Sequence, residues 1–200
     1  MNCEFEDKVF SIVPAEFESL ALEIFQFQAA DNPLYRSYIA ALGIDPATVN
    51  SIYKIPYLPI RFFKSHPIVT TEFAPQIIFE SSGTTGMTNS RHLVKDCSVY
   101  RKSFLSGFKH FYGPVQEWCV IGLLPSYLER QHSSLVYMVD EMIKISESPE
   151  SGFYLYEFEQ LAQVLATLEA RGQKTLLIGV TFGLLDFSEQ FQVFLKNTIV

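Results

Sequence analysis

The stretch FESSGTTGMTNSRH, Phe79 to His92, holds the residues best suited to chemistry. From Ser81 to Gly86 every residue carries a hydroxyl or no side chain, in a chain of 200 residues that is 48% hydrophobic and has only 10 glycines. Gly83 and Gly86 give the backbone freedom to turn successive N–H groups toward one point, and Ser81, Ser82, Thr84 and Thr85 add hydroxyl donors. Such a loop is built to grip an anion, phosphate first of all. It is neither a Walker loop, since no GK[ST] follows, nor a GxGxxG turn. Arg91, just beyond it, offers a planar guanidinium that pairs well with phosphate. Strand alternation sends the neighbouring His92 to the opposite face, as a structural histidine. The plain alternative is a Ser/Thr/Gly connection between two strands.

The elements around this loop read as α/β. PQIIFE before it and RHLVK after it predict short strands, and Asp96 is placed to cap a helix from Cys97 to Phe111 that ends at Gly113-Pro114. WCVIGLLP is a nearly unbroken apolar run, the mark of a strand buried on both faces. After the polar SYLERQH, Leu135, Met138, Val139 and Met142 predict one face of a helix that starts at Ser133 or Ser134, either of which can cap it. Gly152 to Tyr156 reads as a strand. Phe158, Leu161, Leu165 and Leu168 mark another helix that stops at Gly172, and TLLIGV is one more strand, with a helix after Thr181. The strand–loop–helix alternation predicts a mostly buried sheet with flanking helices. A helical segment precedes it: 14–30 with Phe17, Leu20, Ala21, Ile24, Phe25 and Gln28 on one face, then a helix from Pro33 to near Gly43. A turn follows at Asp45–Pro46, and then irregular chain with a short helix at Ile60–Lys64. The expected division is 1–65, a helical N-terminal segment packed on the core, and 66–200, the α/β part. The final Thr198 to Val200 reads as a strand cut short, an expectation that the chain is truncated at residue 200.

Composition narrows the function classes. The net charge of −7 with no basic block disfavours nucleic acid and anionic membrane surfaces. The three cysteines, Cys3, Cys97 and Cys119, lack disulfide or zinc spacing, so no metal site is expected and a reducing cytoplasmic setting fits. No segment reaches the roughly 18 apolar residues of a membrane helix, and the N-terminus lacks a signal-peptide core. Cys119, inside an apolar strand, should be inert filler with a raised pKa. Cys97 sits in a helix first turn, where a thiolate is favoured, but structure is the expected role of both.

SSGTTG resembles the phosphate-binding signature of the adenylate-forming superfamily of acyl-CoA synthetases, luciferases and peptide-synthetase adenylation domains, a [ST]SGT[ST]G-x-P-K segment. The match is full through Gly86; Thr88 then stands where proline is usual and Asn89 where lysine is usual. With SRH and VKDCSVYRKSF after it, LPIRFFKSH before it and LLPSYLERQHSSLVYMVDEMI further on, the chain resembles the acyl-protein synthetase (LuxE-like) branch, clearly over residues 55 to 145. The resemblance implies part of the large N-terminal domain of such an enzyme. The activity it implies is ATP-dependent activation of a fatty or other acyl carboxylate as acyl-AMP, with Mg²⁺, and acyl transfer to a thiol on a protein or carrier. It implies that Ser81, Ser82, Gly83, Thr84, Thr85 and Gly86 hold the ATP phosphates, with Arg91 in place of the missing lysine. Tyr127 and Arg130 (with His132 beside them) would line the carboxylate or acyl pocket, and Thr181 and Phe182 its wall. The acylated cysteine and the adenine-binding motifs would lie beyond Val200, so these 200 residues alone would have little activity. Two rivals stand beside this: a binding or scaffold domain that kept the fold and lost catalysis, and an unrelated α/β protein with a Ser/Thr/Gly hairpin.

Overall fold

The computed structural model describes residues 3–81, 88–124 and 132–200. They form an α/β structure in two compact units, residues 1–99 and 100–200; the expected division at 65/66 falls inside the first.

In the first unit, helix α1 (Cys3–Ser11) was not anticipated. Its sequence, CEFEDKVFS, interleaves charge and aromatic residues too closely to show a stripe. It is held to the longer helix α2 (Phe17–Asp31) by Phe5 against Phe27, ring centroids 5.2 Å apart, and by Lys8 to Glu23 at 3.1 Å. The α2 face differs from expectation at one end: Phe17 opens the helix and is 58% exposed, and the buried residues are Leu20, Phe25 and Ala29. Asn32 separates α2 from α3 (Pro33–Ala41); its Oδ1 accepts the Tyr35 N–H at 3.0 Å while Pro33 fills the first turn, where a missing N–H costs nothing. Phe25, Ala29, Tyr35, Ile39 and Val49 make this unit's core. Short 3₁₀ turns follow, including Ile60–Lys64 as expected. Strands β1 (Ile77–Glu80) and β2 (Arg91–Val94) then pair antiparallel, Glu80 opposite Arg91 and Phe79 opposite His92, as a sheet of their own.

Helix α4 (Cys97–Tyr112) begins where Asp96 accepts the Ser98 N–H at 2.8 Å, and it carries the chain into the second unit. There β3 (Cys119–Leu123), α5 (Ser134–Ile145), β4 (Gly152–Phe153), α6 (Phe158–Arg171), β5 (Thr175–Gly179), α7 (Thr181–Gln190) and β6 (Thr198–Ile199) alternate. The four strands are parallel in the order β4-β3-β5-β6. Every residue of β3 is buried, as its apolar run requires. Alternation divides its side chains between two cores. Cys119, Ile121 and Leu123 meet Leu161, Leu165 and Leu168 of α6 and Phe187 of α7. Val120, and Leu124 just past the strand, meet Val136, Val139 and Met142 of α5. The inward face of α5 is thus Val136, Val139 and Met142, with Met138 packed at its edge; Leu135, expected inside, is 36% exposed. Each buried Leu or Ile contributes about 1.5–3 kcal/mol, so two packed faces make β3 the centre of the unit.

Strand β4 is shorter than the expected 152–156, and serines complete its edge. Ser151 Oγ accepts the Val120 N–H at 2.8 Å, and the Ser146 hydroxyl donates to the Trp118 carbonyl at 2.6 Å. Among the described residues no helix is long and apolar enough to cross a membrane.

Candidate functional site: a hairpin loop and a strand-end crevice

The predicted phosphate residues Ser82, Gly83, Thr84, Thr85 and Gly86 lie outside the described residues, as do Tyr127 and Arg130. What is described is the base of each loop. At the first, Ser81 donates its N–H to the Ser90 carbonyl at 3.1 Å, and Ser90 returns its N–H to Ser81 Oγ at 3.0 Å. Two bonds therefore extend the β1–β2 ladder and close the hairpin one residue beyond the strands. Ser81 is exposed, and its hydroxyl oxygen, engaged as an acceptor, keeps its own proton to donate. This hairpin base thus belongs to a two-stranded antiparallel sheet of its own and not to the parallel sheet. The half-buried pattern of β1 gives the reason, since a strand of the parallel core would be apolar on both faces. The two candidate loops accordingly follow strands of different sheets.

Arg91 begins β2, and its Nε lies 3.8 Å from Glu80 Oε1 across the hairpin, with the side chains 58% and 36% exposed. The expected supporting cation is therefore already paired. An exposed pair of this kind is worth at most about 1 kcal/mol, so an incoming phosphate can compete for the guanidinium. His92 faces the other way, its ring stacked on Phe63 with centroids 5.8 Å apart. Burial of the ring holds its pKa below the usual 6.5, as befits a structural histidine, although the residue as a whole keeps contact with solvent.

The second base is the C-terminal edge of the parallel sheet. The chain leaves β3 through α5 on one face to reach β4, then returns through α6 on the other face to β5, so the strand order reverses between β3 and β5. Crevices at such reversals are where open α/β sheets bind ligands. Leu124 ends one side, followed by the 125–131 segment; Gly179 and Val180 end the other, the Val180 N–H reaching the Leu123 carbonyl at 3.3 Å. A Cβ on Gly179 would lie 2.7 Å from Leu184 Cγ and 3.1 Å from the Leu123 carbonyl oxygen, so only glycine lets the first turn of α7 fold back onto the strand end. Thr181 and Phe182 open α7 at this edge, both exposed, Phe182 to 79%. Among the predicted residues the structure thus brings Ser81 and Arg91 to one hairpin, and Thr181 and Phe182 to one sheet edge.

Sequence reading missed Glu80, the partner of Arg91, and the close approach of Leu184 and the Leu123 carbonyl at Gly179. Both left a signal. Glu80 and Arg91 flank the Ser81–Ser90 pair symmetrically with opposite charges, and a glycine at a strand's last position marks close backbone approach. No group of three or more His, Cys, Asp or Glu side chains is arranged to hold a metal ion among the described residues. No protein-family model, no curated protein and no solved structure matches the chain.

Proposed function

We propose that the chain belongs to an ATP-dependent enzyme that activates a fatty or other acyl carboxylate as acyl-AMP and passes the acyl group to a thiol of a protein or carrier. The observation that carries this reading is the hairpin base: Ser81, the first residue of the SSGTTG motif, is doubly bonded to Ser90, and Arg91 begins the strand that follows. In the reaction, a carboxylate oxygen attacks the α-phosphorus of ATP and the bond to the bridging oxygen breaks. Pyrophosphate leaves carrying the charge that the loop's amides and hydroxyls are suited to hold. The carboxylate is ionised at neutral pH, so this step needs no general base. A thiolate then attacks the acyl carbonyl and AMP departs. Arg91 contributes by exchanging Glu80 for a phosphate oxygen. Mg²⁺, when bound with the nucleotide, would shield the charge of the phosphates. The C-terminal edge of the parallel sheet, which carries Thr181 and Phe182, is assigned to the acid, with Tyr127 and Arg130 of the segment after β3 as further candidates.

The Glu80–Arg91 pair also favours a second reading, a binding domain with the fold but no catalysis, in which Arg91 is only a strut of the hairpin. ATP–pyrophosphate exchange by the whole gene product, with octanoate to palmitate as acids, separates the two. Catalysis predicts acid-dependent exchange that vanishes in Gly83→Val. It also predicts a fall of roughly tenfold to a hundredfold in Arg91→Ala, the loss of one charge-assisted contact of about 1.5–3 kcal/mol. A folded protein that neither exchanges with any acid nor binds ATP would sink the synthetase reading and leave the binding domain.

A further inference from the structure

The first unit carries an open groove of about 400 Å³ between α2 and the chain from 55 to 68. Ala21, Ile24 and Phe25 wall one side, and Ile55, Leu58 and Ile68 the other. Eleven side chains line it and none is charged, so a charged head seated against this wall gives up hydration and finds no counter-charge. Phenolic burial reports the same environment, since Tyr35 in the wall is pushed up to about 12 by burial first and by its neighbours Tyr38 and Tyr57 second.

One end of the wall is polar, and its hydrogen bonds can be ordered unambiguously. Asn32 is 4% exposed, and its Oδ1 is committed to the Tyr35 N–H at 3.0 Å. Its Nδ2, which can only donate, therefore faces Gln28 and Thr70, with Gln28 Oε1 and Thr70 Oγ1 each at 3.4 Å. Gln28 must present its oxygen to that amide, and the Thr70 hydroxyl donates to the same oxygen. Rotating the Gln28 carboxamide by half a turn would set one NH₂ against another. Gln28 Nε2 is left over, a two-proton donor with no acceptor among the described residues, on a side chain that lines the groove. The Tyr35 hydroxyl, by contrast, is occupied by the Pro56 carbonyl at 2.8 Å.

We infer that this groove is a binding site for a small neutral amphiphile, an alkyl or aryl body carrying one uncharged oxygen acceptor, such as an ester or amide carbonyl, that takes a hydrogen bond from Gln28 Nε2. The site is independent of the adenylation reading: it needs no ATP, and its ligand is a neutral molecule rather than a carboxylate.

Methyl NMR of the chain tests it, following Ile24, Ile55, Leu58 and Ile68 while one eight-carbon chain is offered with three heads at about pH 8: methyl octanoate, octanoate and octylammonium. Methyl octanoate is expected to give saturable shifts at these methyls. Octanoate should bind at least tenfold more weakly and octylammonium not at all. Gln28→Glu is the decisive variant, because its carboxylate still accepts from Asn32 and Thr70 while the leftover donor becomes an acceptor. It should lose the ester and gain octylammonium. Absence of ester shifts in the parent protein, equal affinity for ester and octanoate, or undiminished ester binding by Gln28→Glu would each overturn the inference. If Gln28→Glu fails to fold, Ala21→Leu fills the groove from the same helix, two turns before Gln28. Loss of the ester shifts there supports the site, and unchanged affinity overturns it.

Discussion

Cys119 and Cys97 show how far surroundings decide what a residue can do. Cys119 is fully buried in β3, and burial pushes its thiol above the usual 9.0. Hydrogen bonds from Ser148 and Ser151 oppose this only partly, and the Glu150 carboxylate adds to it. Cys97 is half-buried in the first turn of α4, where its N–H donates to Gln76 Oε1 at 2.8 Å. The reactive species is the thiolate, so the two should differ sharply in alkylation. With Cys3 replaced by serine, iodoacetamide at about pH 8 is expected to label Cys97 at least ~100-fold faster than Cys119, which reacts only once the protein is unfolded. Peptide mass spectrometry over a time course reads this directly, and comparable labelling of both sites in the folded protein would refute it. The same lesson applies to Arg91. Its type and place suit a phosphate, but its worth there depends on Glu80, which the hairpin sets opposite it.

Elements defined by one continuous local signal were legible in the sequence. The apolar runs of β3 and β5, the Leu161–Leu165–Leu168 stripe of α6 with Gly172 in the left-handed conformation behind it, and the Asp96 cap of α4 all need only neighbours to be recognised. What escaped was set by partners far along the chain. The antiparallel pairing that gives β1 and β2 a sheet of their own is a property of two segments together, and α1 owes its seat to Phe27 and Glu23. The candidate site divides in the same way: the loop composition and the opposite charges of Glu80 and Arg91 are visible in sequence, but the Ser81–Ser90 closure that sets those charges facing each other is not. Strand β6 is the clearest case. Only two residues long, it is held by Glu169 of α6, whose carboxylate accepts from the Lys196 N–H at 3.0 Å, the Asn197 N–H and side-chain amide, and the Thr198 hydroxyl at 2.7 Å. Partial burial alone would raise the Glu169 pKa, but these donors outweigh it and hold it below 4.5. Removing the acceptor in Glu169→Ala strands several donors at once, so amides 196–199 should exchange with solvent at least tenfold faster while those of β3 stay protected. Equal protection of 196–199 in both proteins would show that strand pairing with β5 alone suffices.

Across the whole molecule, the titrating groups fix a pH window for stability. On the acid side, His92 in the first unit has its folded pKa depressed below 6.5 by burial. Its contribution is present above 6.5 and is lost as pH falls through the folded value, because the unfolded ring takes up a proton that the folded ring, packed on Phe63, resists. Asp96 is held below 3.8 chiefly by the Ser98 N–H. In the second unit four carboxylates titrate below 4.5. For Glu141 burial is the largest single effect and raises its pKa, but the hydrogen bonds and charges of Lys144 and Arg101 together outweigh it; Glu150 is held down first by Ser148, and Glu157 first by the Tyr156 N–H. Glu169 completes the set. Their contributions are present above 4.5 and vanish as pH drops through the lowered values. On the alkaline side Cys119 and Tyr35 are raised, from 9.0 and from 10.0 to about 12 respectively, so their contributions are intact below 9.0 and below 10.0 and are lost as pH rises through the folded values. Stability should therefore be flat between 6.5 and 9.0. Below 6.5 the first unit weakens before the second, which holds until its carboxylates protonate. Thermal melts from about pH 3 to about pH 11, with residue-resolved hydrogen exchange to separate the units, measure this. His92→Phe should remove the limb that begins below 6.5 and leave the carboxylate limb in place. A protein that gains stability as the pH falls from 6.5 to 5.5, or whose second unit loosens first, would contradict the assignment of that limb to the His92–Phe63 stack.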